Sequence, residues 1–77
     1  MTKNTLIKII KSDLGDRVHM DSFKLSKLAA LGREHDGKSM TPQNISSIID
    51  TLQLIFTNDL ITDRRVWEDI KTHLFRH

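Results

Sequence analysis

Apolar residues recur along this chain at helical spacing and nowhere alternate as they would in strands. Ile45, Ile48, Ile49, Leu52, Ile55 and Phe56 follow i, i+3, i+4, i+7, i+10, i+11, a single stripe at 3.6 residues per turn. Three further stripes accompany it: Leu6, Ile7, Ile10 and Leu14 with Ile9 at the edge; Leu25, Leu28, Ala29 and Leu31; and Val66, Trp67, Ile70 and Leu74 with Phe75 beside them. Trp67 is thereby assigned to the core. Each stripe is preceded by a hydrophobic staple, in which an apolar residue before the capping side chain packs on the fourth helical residue. Met1-Thr2 with Leu6, Met20-Asp21 with Leu25, Met40-Thr41 with Ile45 and Ile61-Thr62 with Val66 all fit. Pro42 reinforces the third start, because a missing N–H costs nothing at the first helical position. Gly15 and Gly32 are read as stops, able to close a helix in the left-handed conformation. The fold expected is all-α: one domain, residues 1–77, built as a compact bundle of four short helices over about 3–14, 21–33, 42–57 and 63–75. The polar stretch from Gly32 to Met40 is the longest loop. Thr57-Asn58-Asp59 supplies a turn that Leu60 and Ile61 are expected to pin to the core.

With 77 residues and no cysteine, the chain has no disulfide framework, no thiol nucleophile and no cysteine-ligated zinc. Apolar packing is the visible source of stability. Uninterrupted apolar runs such as Leu54-Ile55-Phe56 fall far short of the ~20 residues that span a bilayer, and the first residues lack a signal-peptide core. A soluble, cytoplasmic protein is the expectation. The net charge of +2 is small for a protein whose main task is neutralising phosphates. It is also unevenly placed: residues 1–40 carry eight basic side chains against five acidic ones, residues 41–77 four against five.

Catalytic chemistry finds little to stand on. There is no Walker loop, no G-x-G-x-x-G and no nucleophile elbow. Glu68 and Asp69 are neighbours in sequence and point about 100° apart on a helix, which is wrong for acid–base cooperation. Of the four histidines only His73 and His77 have ligand spacing, and two ligands do not make a site; solvated imidazoles on a terminal turn are expected, with no metal and no cofactor. No enzyme activity is expected.

The third helix is unusual in carrying one charge, Asp50, its polar side otherwise being Gln43, Asn44, Ser46, Ser47, Thr51, Gln53 and Thr57. Interface cores are depleted of charge, so this face can be covered by another molecule; alternatively the helix is the central element, wrapped by the other three. Ile9, Phe23, Leu54 and Phe75 remain over once one stripe per helix is assigned. A homodimer would hide them, with Ser47, Thr51, Leu54 and Phe75 as candidate interface residues. Arg64 and Arg65 oppose the helix dipole in the first turn of the fourth helix. Either i, i+4 pairs with Glu68 and Asp69 offset this or an acidic partner does. Arg64, Arg65, Lys24, Lys27 and Arg33 are the candidate partner-binding residues. The function expected is a small non-enzymatic regulatory or adaptor protein, acting by protein–protein contact through a helical surface as a homodimer. The second reading is a DNA-binding transcriptional regulator using a basic face and the N-terminus of the third or fourth helix. Against it, the third helix has no Arg or Lys and the turn before it is long for a helix-turn-helix.

The stretch from Leu31 to Leu52, with its loop glycine, Met40, Asn44-Ile45 and the ending Thr51-Leu52-Gln53, resembles a group of small enterobacterial biofilm regulators, helical proteins that act by protein contact. Their pattern runs out of register by one residue inside the third helix. The resemblance therefore implies a helical contact protein and no membership.

Overall fold

Local signals place the helix starts. In the computed structural model, which describes Met1–His77, α1 spans Lys3–Leu14, α2 Ser22–Glu34, α3 Pro42–Ile55 and α4 Arg64–Phe75, and there is no strand. Single 3-10 turns lie at Gly15–Arg17 and Thr57–Asp59. Every helix begins on a side chain that accepts an otherwise orphaned N–H: Thr2 from Thr5, Asp21 from Lys24, Thr41 from Asn44, and Asp63 from Arg65. The first three fall where the staples put them. The fourth cap is Asp63 instead of Thr62, because a carboxylate accepts the same bond and also meets the positive helix end.

The stops divide differently from the sequence reading. Gly15 closes α1 at φ 51, as expected. Gly32 is no stop: it is buried inside α2, and a Cβ there would lie 3.0 Å from Lys3 Cγ and 3.1 Å from Ile7 Cδ1. Close approach of α1, not left-handed geometry, is what this glycine permits. α2 runs on to Glu34, and the left-handed turn falls at Gly37, φ 78. α3 ends at Ile55 instead of residue 57, since the Thr57 hydroxyl donates to the carbonyls of Gln53 and Leu54 at 2.8 and 3.0 Å. Leu60 is not pinned to the core; it stands 80% exposed at φ 52, while Ile61 packs inward.

Packing follows a square. α1 contacts α2 and α4, and α3 contacts the same two, so α1 faces α3 and α2 faces α4 across the diagonals. The interior is filled by Leu6, Ile10 and Leu14 of α1, Leu28 and Leu31 of α2, Ile45, Ile48, Ile49 and Leu52 of α3, and Val66, Ile70 and Leu74 of α4, closed at one end by Phe56. Trp67 is half-buried and packs on this core, as do Ile9 and Ile7. The alternative in which α3 is wrapped by the other three helices fails on this geometry. It occupies a corner, with one flank open.

The α2–α3 loop is not free. Gly37 donates its N–H to the Met1 carbonyl at 2.8 Å, and the Lys3 N–H donates to Asp36 Oδ1 at 2.8 Å, which docks the loop on the start of α1. His35, at the end of α2, is 4% exposed, and neither ring nitrogen has a hydrogen-bond partner within the chain.

Candidate protein-interaction surface

α3 turns Ile45, Ile48, Ile49 and Leu52 into the core, and the 100° step per residue then forces Gln43, Ser46, Ser47, Asp50, Gln53 and Leu54 outward. That outer face is exposed and carries one charge. Two grooves border it. On the α2 side, Phe23, Lys27, Ala30 and Glu34 face Thr51, Leu54 and Ile55 across a groove of about 470 Å³. On the α4 side, Ile45, Ile49, Asp50 and Gln53 face Lys71, Thr72 and Phe75 across one of about 620 Å³. The large exposed apolar side chains of the domain are Phe23 (70%), Leu25 (37%), Leu54 (77%), Leu60 (80%) and Phe75 (72%), and three of the five line these grooves. These three come from α2, α3 and α4 and stand on the two sides of α3, Phe23 with Leu54 at one groove and Phe75 at the other.

The four candidate interface residues are thus split by α3 itself. Ser47, Thr51 and Leu54 lie together in a shallow hollow on its surface. Phe75 is across the helix, in the α4 groove. The 100° step that separates Leu54 from Gln53 separates the two grooves.

The candidate basic residues do not form one patch. Lys24 is turned inward: its ammonium pairs with Asp59 Oδ2 at 2.8 Å, the two side chains being 15% and 10% exposed, and it lies 5.9 Å from the centroid of the Phe56 ring. Asp59 also accepts the N–H of His19 at 3.1 Å. These two hydrogen bonds, the one from Lys24 first, hold the Asp59 carboxyl below its ordinary value, outweighing the opposing effect of burial. The knot ties the start of α2 to the 3-10 turn after α3. It is structural, and sequence reasoning missed it because Lys24 and Asp59 are far apart in the chain. Lys27 lies 4.7 Å from the centroid of the Phe23 ring at the rim of the α2 groove. Arg33 is exposed elsewhere on α2. Arg64 and Arg65 are exposed on α4, diagonal to α2.

Neither expected helix pair forms. Glu68 meets Lys71 at 3.3 Å instead of Arg64, and Arg65 and Asp69 share no ion pair. The nearby Asp63 serves as the cap and also meets Arg17 at 3.5 Å, so the carboxylate beside the two arginines is already engaged. His73 is exposed, as expected, but is also tethered: its Nδ1 meets Asp13 Oδ2 at 2.7 Å, a link between α4 and α1 that the i, i+4 spacing to His77 could not reveal. No group of three or more His, Asp or Glu side chains stands close enough to hold a metal ion. No helix is long and apolar enough to cross a membrane.

No protein-family model matches the chain, and neither the curated proteins nor the solved structures include a significant match to it.

Proposed function

We propose that this protein is a small non-enzymatic regulatory or adaptor domain that works by protein–protein contact, as a homodimer, through the open flank of α3. One observation carries the reading: the only nearly uncharged helix face in the chain is solvent-exposed and flanked on both sides by grooves with exposed Leu54, Phe23 and Phe75 at their edges. Interfaces combine a core depleted of charge with aromatic and aliphatic anchors and a charged rim. Here Ser46, Ser47 and Thr51 offer close helix approach, the apolar groups offer anchors, and Lys27, Glu34, Asp50 and Lys71 form the rim. Leu54, Phe23 and Phe75 together expose enough apolar surface that covering them at ~25 cal/mol per Å² outweighs the ~0–1 kcal/mol of an exposed ion pair.

Two grooves on opposite sides of α3 suit two tasks, self-association on one and a second protein on the other. Dispersal of the basic residues over α2 and α4 sets this reading ahead of DNA binding, which needs cations converging on one groove of the duplex. The test is sedimentation equilibrium on the whole chain, together with capture of partners from native lysate with and without nuclease. A species of twice 8.9 kDa and nuclease-resistant partners support the proposal. A monomer at near-millimolar concentration removes the homodimer, and partners lost on nuclease treatment move the function to nucleic acid.

A further inference from the structure

The α2–α3 groove has a feature the α3–α4 groove lacks: its charges are self-complementary. Its α2 wall presents Phe23, Lys27, Ala30 and Glu34, all exposed, at successive steps of four, three and four residues. That is the spacing of a helix–helix seam. Lys27 and Glu34 are two turns apart, about 10 Å along the axis at 1.5 Å per residue, and the seam residue nearest their midpoint is the smallest, Ala30. A twofold axis through Ala30 perpendicular to α2 exchanges the ends of this segment. Lys27 of one copy then meets Glu34 of the other, and the pair recurs by symmetry. An isologous contact requires a patch that matches itself. The α4-side groove does not: Asp50 stands against Lys71 and Arg76, leaving an excess of positive charge on both copies.

We propose that the occupant of the α2–α3 groove is a second copy of this chain, with antiparallel α2 helices crossing at Ala30, reciprocal Lys27–Glu34 pairs, and Leu54 and Thr51 of α3 closing the seam on each side. The inference rests on the homodimer reading above and adds its register. Ala30 lets the two helices approach closely. Leu54, 77% exposed on the same groove, gains a cover that the single chain does not provide. Lys27 over the Phe23 ring holds the cation at the edge of the seam, where it is partly directed before the second copy arrives. The α3–α4 groove with Phe75 stays open in such a dimer, on the far side of α3, for a partner whose charge balances Lys71 and Arg76.

The experiment is a charge swap read by sedimentation equilibrium at low ionic strength, on the full chain, with far-UV circular dichroism to verify folding. Lys27→Glu and Glu34→Lys each place like charges opposite one another twice per dimer, and each is expected to weaken the dimer about tenfold or more. The double variant Lys27→Glu/Glu34→Lys restores opposite charges and is expected to dimerise about tenfold more tightly than either single. Both positions are exposed and unpaired by carboxylate or ammonium within one chain, so the variants fold. A wild-type dimer whose affinity is indifferent to the single reversals, or a double variant as weak as the singles, overturns the seam while leaving self-association standing. A wild-type chain that stays monomeric overturns both.

Discussion

Asp59→Ala removes the acceptor at the knot that joins the start of α2 to the turn after α3. Asp59 accepts from the Lys24 ammonium at 2.8 Å and from the His19 N–H at 3.1 Å, with only 10% of its side chain exposed. Each bond has a charged partner, and such bonds contribute about 1.5–3 kcal/mol each; Lys24 can swing partly into water once released, so the summed loss is about 2–4 kcal/mol. A domain of this size draws only about 3–5 kcal/mol from its core, so the variant lies near the limit of folding. Urea unfolding followed by circular dichroism reads the difference. The exposed pair Lys71–Glu68, 46% and 68% accessible, is the control, and Glu68→Ala is expected to cost no more than ~0.5 kcal/mol. The pH dependence carries the sign. Folding lowers the Asp59 carboxyl below the ordinary 3.8, so its contribution is fully present above that value and is lost as pH falls through the lower, folded one. The gap between wild type and Asp59→Ala is therefore largest at neutral pH and narrows in strong acid. An Asp59→Ala chain within ~0.5 kcal/mol of wild type at neutral pH would refute the reasoning, because a pair this sheltered would then be worth no more than a surface one.

Neighbouring leucines of α3 should separate interior from interface: Leu52→Ala, at 0% exposure, is expected to cost about 2–5 kcal/mol. Leu54→Ala, at 77%, should shift the unfolding of dilute monomer by less than ~0.5 kcal/mol while weakening self-association. Leu60→Gly relieves a left-handed backbone that costs an L residue about 1–2 kcal/mol against the ~0.5–1 kcal/mol of added glycine entropy, so a gain of about 0.5 kcal/mol is expected in the urea midpoint, with none from Leu60→Ala. His35→Leu replaces a buried ring with no internal hydrogen-bond partner and is expected to raise stability by about 1 kcal/mol in the same assay; a comparable loss would show that the ring nitrogens are satisfied in solution.

Features written in consecutive residues were legible, and those decided across the fold were not. The i, i+3, i+4 stripe from Ile45 to Leu52 and the caps at Thr2, Asp21 and Thr41 are local, so α1, α2 and α3 begin where the sequence puts them. At the fourth start Thr62 and Asp63 are adjacent capping types, and periodicity cannot choose between them. Gly32 carries the composition of a stop, yet only the position of Ile7 and Lys3 on another helix shows that it is a contact glycine. Leu60 reads as apolar and therefore inward, whereas its left-handed backbone after the 3-10 turn carries it away from the core. Candidate contact residues divide the same way. The low charge of α3 and a surplus of Ile9, Phe23, Leu54 and Phe75 follow from counting faces; the last three are exposed, whereas Ile9 is half-buried against the core. Which groove each one lines depends on the square packing of the helices. Lys24, chosen as a surface cation, is drawn in by Asp59, and Arg64 loses Glu68 to Lys71, because pairing at a helix surface is settled by rotamers and neighbours that spacing alone does not specify.

The most direct measurement on the open flank of α3 is a dilution series of amide NMR spectra of the whole chain, from near-millimolar to low micromolar. The expected result is concentration-dependent shifts confined to Phe23, Lys27, Ala30, Ser47, Thr51 and Leu54, with the amides of α1 and α4 unchanged. Spectra identical across the series, or shifts centred on α1 or α4, would contradict it.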